Sequence, residues 1–232
     1  MRDFKATGSY LEVGSQIGAA FKREIREYIA LRYDQMSYEL QEMRYCFQRE
    51  MYQSYALELE NYTKKCAPSE YQEMMGIAQA TSQNISDIIF AIGYTDILDL
   101  ILAQNAPLVD SGLHKECSTF LLKKETQVLC GQNWDMDIVS KNNACVMQKE
   151  YSDGCKLCGV TTVLGLVHMG MNDKGVSVGT ANLSSKKASS DGLIFPIVLQ
   201  NLLKTTNRAE ALQMLNRIRF VAGHYYYFRE KN

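Results

Sequence analysis

Residues 114–137 read HKECSTFLLKKETQVLCGQNWDMD. Two apolar runs, 117–123 and 128–134, flank a short polar turn at Glu125 and Thr126, which is the pattern of an antiparallel hairpin. Cys117 heads the outgoing strand, and strand alternation puts the Thr119 hydroxyl on the same face as its thiol. The return run brings Trp134, the single tryptophan of the protein, and Asp135. A three-residue loop at 125–127 sets Asp135 opposite Cys117. A loop one residue shorter sets Trp134 there and turns Asp135 to the other face. The sequence is compatible with both registers.

Upstream of the hairpin the chain is helical in character. From about Glu12 to Cys66 it is rich in Glu, Gln, Arg, Met and Tyr and has no proline, and Ile17, Phe21, Ile25 and Ile29 recur at steps of three and four. This tract reads as one long helix or two, ended by Pro68. A second helical tract starts near Ser69 and a third at Ser86, a good N-cap. Downstream, 144–149, 161–169 and 175–181 read as strands, the last pair separated by the turn MNDKG. Helices are expected over 192–204 and 207–217, and VAGHYYYF reads as a closing strand. The whole is an α+β pattern, with helices layered on a mostly antiparallel sheet. It divides into a helical segment, 1–116, and a sheet-bearing segment, 117–232.

Composition narrows the function. With 25 basic and 26 acidic residues in 232, the chain has no basic footprint for nucleic acid. No run approaches the roughly 18 apolar residues of a membrane span, and MRDFKATGSYLEVG lacks the apolar core of a secretory signal. Seven scattered cysteines are odd in number and point to reduced thiols in a cytoplasm. The Asn-X-Ser/Thr matches at Asn61, Asn84 and Asn182 are then chance occurrences.

Cys117 is the first chemical candidate. A strand thiol is commonly a small buried hydrophobe, but this one follows a polar stretch, DSGLHKE, suited to presenting a cleavable bond. Activation needs a base. Histidine is one option, from His114, His168 or His224, although no Cys–His spacing is diagnostic. The other is an α-amine released by cutting between Glu116 and Cys117, since such an amine has a pKa of about 7.7–8.0 and can serve its own thiol. Elsewhere the signals are weaker. Cys155 and Cys158 form a CxxC in a segment read as a loop, with no second ligand pair, so no metal is expected. His168 lies in an apolar run and reads as a core histidine. His224 falls in the run GHYYYF. Asn182, Ser184, Ser185 and Ser189 read as a solvated loop.

ECSTF followed by LCGQNWDMD resembles the signature of the isopenicillin N acyltransferase family (peptidase family C45) of N-terminal nucleophile hydrolases. GSYLEVGSQIGAAFK resembles the family's glycine-punctuated first helix, YQEMMGIAQATSQNISDIIFAIGYTDIL its approach to the nucleophile, GMNDKGVSVGTANL its central hairpin and GHYYYF a later strand. The resemblance implies a four-layer αββα sandwich with a helical N-terminal segment, and autocatalytic cleavage before Cys117. By position Cys117 is the nucleophile, Thr119 an assisting hydroxyl and Asp135 the carboxylate that orients substrate. The implied reaction is hydrolysis of an amide, or acyl transfer from an amide or thioester to an amine. The implied partner is a small molecule, with acyl-CoA as an optional co-substrate and no resident cofactor.

The chain departs from the family pattern at four places. Glu116 stands where glycine commonly precedes the cysteine, Thr161–Leu164 replace a TEAG-like segment, His168 stands at the usual lysine, and the family continues past the strand matched by GHYYYF. The expectation is therefore a sandwich incomplete at its C-terminal side, with the aromatic VAGHYYYF edge open to self-association. A catalytically inactive fragment serving as a binding domain is the alternative, and a thiol-redox or zinc module at Cys155 and Cys158 is a third reading.

Overall fold

The computed structural model describes residues 2–105, 117–125, 127–183, 185 and 187–231. Its N-terminal part runs β1 (Arg2–Gly8), α1 (Tyr10–Ala20), α2 (Lys22–Glu42), α3 (Arg49–Cys66), α4 (Pro68–Thr81), α5 (Ile85–Ile92) and α6 (Tyr94–Asn105). The rest runs β2 (Ser118–Lys124), β3 (Gln127–Asn133), α7 (Ile138–Lys141), β4 (Ala144–Tyr151), β5 (Lys156–Thr162), β6 (Met169–Asn172), β7 (Ser177–Asn182), α8 (Phe195–Leu202), α9 (Arg208–Leu215) and β8 (His224–Arg229). This is the expected mixture of α and β.

The helices start and stop for local reasons. Ser9 and Glu12 close a capping box on α1, the Glu12 carboxylate accepting from the Ser9 backbone N–H at 2.7 Å. Pro68 opens α4, where its missing N–H costs nothing, and Ser82 ends it in the left-handed region at φ 56°. The 12–66 tract is three helices, more than the one or two its periodicity suggests; the third tract starts after Asn84 rather than at Ser86, with no side-chain capping bond, and is split at Gly93. Helices α1 and α4 cross backbone to backbone. A Cβ on Gly14 would lie 1.9 Å from the Glu73 carbonyl oxygen, so only glycine fits there.

A six-stranded mixed sheet has the order β1-β4-β5-β6-β7-β8. Its one parallel pairing is β1 with β4, in register from Arg2↔Cys145 to Gly8↔Tyr151, so the N-terminal segment contributes a strand to the sheet of the C-terminal segment. Local pattern gives little sign of β1, which forms an edge and fully buries only Ala6. In β4, Cys145, Met147, Lys149 and Tyr151 point alternately into the helical layer, where Tyr10 of α1 stacks on Tyr151 with ring centroids 4.0 Å apart.

Two strand assignments need correction. The segment 161–169 is the end of β5, a buried loop and the start of β6. Its residues Val163, Leu164, Leu166 and Val167 are apolar because the loop plugs the core, with Gly165 turning at φ 88° and the Thr161 hydroxyl donating to the Leu166 carbonyl at 2.5 Å. Conversely, Lys156–Thr162, partly read as loop, is a full strand that places Cys158 in the sheet. The MNDKG turn forms as expected, with Asn172 Oδ1 accepting from the Lys174 and Val176 backbone N–H groups and Gly175 at φ 88°.

Candidate functional site

The β2–β3 hairpin settles the register question by pairing Lys124 with Gln127 and Ser118 with Asn133. That is the shorter loop, and one further step sets Trp134 across from Cys117. Cross-strand pairs share a face and alternate along the ladder. Thr119 and its partner Gln132 therefore lie on the face of Cys117 and Trp134, and Asp135 falls outside it, exposed to solvent. Gln132 fastens the hairpin to β7 as if it were a peptide unit. Its Nε2–H donates to the Thr180 carbonyl and its Oε1 accepts from the Thr180 N–H, both at 3.0 Å.

Cys117, Gln132 and Trp134 open onto a cavity of about 40 Å³ whose other walls include Arg32, His168, Asn182 and His224. These groups come from α2, the buried 163–168 loop, the end of β7 and the start of β8. Three features define the site's electrostatics. Arg32 is buried, donating to Gln35 Oε1 at 2.6 Å and Ser140 Oγ at 3.0 Å, with its guanidinium over the Tyr28 and Tyr94 rings at 4.8 and 4.6 Å. His168 packs edge-on to Trp134 at 5.1 Å. Its pKa is pushed down to about 3, first by burial and then by the positive charges of Arg32 and Lys149, so the ring is neutral. His224 Nε2 lies 3.1 Å from Asp96 Oδ1, and Asp96 Oδ2 accepts the Phe195 backbone N–H, a free donor at the start of α8, at 2.9 Å.

Buried polar groups in a folded chain nearly always find partners. Among the described residues the exceptions gather here: Arg32 Nε, Thr95 Oγ1, His168 Nδ1, Asn182 Oδ1 and His224 Nδ1 have no hydrogen-bond partner, and all five residues line the cavity. Outside it, only the Glu70 carboxylate oxygens share that description, and one of them pairs with the Lys204 ammonium. A wall of unpaired donors and acceptors beside a thiol is the character of a binding site.

A family model described as acyl-coenzyme A:6-aminopenicillanic acid acyl-transferase matches residues 121–232. The chain is also 26% identical, over 160 residues, to the acyl-coenzyme A:6-aminopenicillanic-acid-acyltransferase 40 kDa form of Emericella nidulans. Over that segment the chain is similar to the isopenicillin N acyltransferase-like proteins. The alignment takes in 68% of this chain and 42% of that relative, so the chain spans less than half the length of the curated protein it matches. The matched segment holds Asp135, His168, Asn182 and His224, and it begins just after Cys117 and Thr119.

The structure thus brings Cys117 to the cavity, puts Thr119 on the same strand face, and leaves Asp135 exposed between the lining residues Trp134 and Met136. Glu116 and the DSGLHKE approach fall outside the described residues, as do His114 and Ser184. Sequence reasoning missed Arg32, Asp96 and Thr95, which belong to helices read as core. The sequence reads Asn182 as part of a solvated loop, whereas it ends β7, lines the cavity and has a buried side-chain amide oxygen. His168 is buried, as a core histidine should be, but half of it is unsatisfied. The cysteines are free thiols, with Cys155 just before β5 and Cys158 within it. Among the described residues no group of three or more His, Cys, Asp or Glu side chains is placed to hold a metal ion, and no helix is long and apolar enough to cross a membrane.

Proposed function

We propose that the protein transfers or hydrolyses acyl groups through Cys117, made N-terminal by cleavage of the Glu116–Cys117 bond. The supporting observation is the cavity itself, where a thiol at a strand start faces buried polar atoms that have no partner within the fold. In the uncut chain the target carbonyl is that of Glu116; afterwards it is the carbonyl of an amide or thioester. Sulfur addition gives a tetrahedral oxyanion, collapse gives an acyl-thioester on Cys117, and water or an amine releases the acyl group. The freed α-amine serves as base. Arg32 Nε–H is the donor nearest in kind to an oxyanion partner, since an ionised donor strengthens the bond. Asn182 Oδ1 is suited to accept a substrate N–H.

Thr119 assists from the same strand face, and the exposed Asp135, between the lining residues Trp134 and Met136, captures the incoming amine. The small cavity takes the reacting acyl carbonyl, and a carrier such as coenzyme A lies outside. This reading takes the β2–β3 hairpin, laid over the sheet at β7, as the start of the second sheet of an αββα sandwich. A reducing cytoplasm suits the free thiols.

The test is intact mass under denaturing conditions after incubation at mildly alkaline pH. Chains of residues 1–116 and 117–232 are expected, the Cys117→Ala variant should stay whole, and an activated acyl-thioester should label Cys117. An uncut chain whose Cys117 takes up no acyl group would overturn the proposal.

A further inference from the structure

In the uncut chain the nitrogen of Cys117 is a peptide nitrogen, whose lone pair is delocalised into the carbonyl and cannot accept a proton. The amine that serves as base after cleavage does not yet exist. Something else must take the thiol proton when Cys117 attacks. On the reading of Cys117 proposed above, we infer that the His224–Asp96 pair is that proton acceptor, which makes His224 a second reacting group of the site.

The geometry is that of a nucleophile's base held by a third group. Asp96 is buried and fixed by the Phe195 N–H at the start of α8, so its other oxygen is left for His224 Nε2–H at 3.1 Å. That contact sets the tautomer, which leaves Nδ1 as the basic nitrogen. Nδ1 is buried and has no partner among the described residues, and His224 and Cys117 open onto the same cavity. Across that shared cavity a direct contact or intervening water would carry the proton from the thiol to Nδ1. Of the other groups facing this space, His168 is neutral and poorly basic, and Arg32 is a permanent cation whose field favours a thiolate.

The step balances within the chain. The Cys117 thiol gives its proton to His224 Nδ1 as sulfur bonds to the Glu116 carbonyl carbon. Collapse breaks the Glu116–Cys117 C–N bond, and the proton held on His224 goes to the departing nitrogen, which becomes the α-amine. Water then cleaves the Glu116 thioester, leaving a carboxylate and the free thiol.

The experiment follows two readouts on the full chain: the rate of self-cleavage, and the rate at pH 7 at which iodoacetamide alkylates Cys117 in uncut protein, with the other cysteines as internal references. His224→Gln should slow both, cleavage by roughly a hundredfold, the usual scale for a lost general base. Asp96→Asn should slow both because the His224 tautomer is no longer fixed. Added imidazole should restore cleavage to His224→Ala, which a merely structural role would not allow. Thermal melts of each variant check folding.

Cleavage and alkylation at wild-type rates in His224→Gln would overturn the inference and leave the proposed function standing. A wild-type chain that never cleaves, but whose Cys117 alkylation depends on His224, would overturn cleavage and keep the pair. A wild-type chain that never cleaves, and whose Cys117 alkylation is unchanged in His224→Gln, would sink both.

Discussion

Two buried polar clusters of this protein differ in one respect. Between the helices and the sheet, the Lys149 ammonium reaches Glu73 Oε1 at 2.5 Å and Gln200 Oε1 at 2.9 Å, while Glu73 Oε2 accepts from Tyr151 at 2.6 Å and Gln200 at 2.8 Å. All of these side chains are deeply buried, and each of these polar atoms is engaged. The cavity at Cys117 is as deep in places, yet Arg32, Thr95, His168, Asn182 and His224 each keep an atom unengaged. Desolvation penalises both clusters. The first offsets it internally, which fixes the fold; the second leaves it uncompensated, which stores affinity for something else. A buried polar residue alone therefore says little, and the count of its missing partners says more.

Breaking the satisfied cluster should give the largest effect. Lys149→Met strands the Glu73 carboxylate in the interior, a loss expected to be about 3–5 kcal/mol in urea unfolding. Adding Glu73→Gln should recover much of it, because no buried charge is then left. If the single variant costs no more than a surface change, the cluster is not the structural anchor described here.

The cavity should respond with the opposite sign. His168→Phe removes an unsatisfied nitrogen among aromatic neighbours and should raise stability by about 1 kcal/mol while lowering turnover. The pH dependence sharpens this. The folded ring stays neutral to about pH 3 and the unfolded ring takes a proton near 6.5. Between those values the unfolded state binds more protons, so stability falls as pH drops from 6.5 toward 3. The urea midpoint of the wild type should fall further than that of His168→Phe between pH 7 and pH 5. Parallel curves would remove His168 from the account.

The smallest stability change is expected at Asp135, which is exposed between the lining residues Trp134 and Met136. Asp135→Asn should shift stability by less than about 0.5 kcal/mol. Turnover should drop tenfold to a hundredfold, as befits a charge-assisted contact worth roughly 1.5–3 kcal/mol. A large fall in melting temperature with unchanged turnover would make Asp135 a structural residue.

Much of this was legible in the chain. The Cys117–Asp135 block, the α1 glycines and the MNDKG turn are local patterns, and the elements they imply are present. The hairpin loop was legible only to within one residue, and that residue decides whether Trp134 or Asp135 faces the thiol. The 163–168 loop was misread because burial on all sides and a buried strand give the same apolar run. Arg32 and Asp96 lay hidden in amphipathic helices, where a charge normally marks the solvated face.

The sequence by itself determined the helical tracts, the hairpin, the turn residues and the candidate thiol, because caps, periodicity and turn chemistry act within a few residues. Only the tertiary structure decided that β1 pairs with β4, that Arg32, His168, Asn182 and His224 line one cavity with Cys117, and that Asp96 holds His224. Those placements follow from how the helices pack on the sheet, and packing joins residues that no local pattern relates.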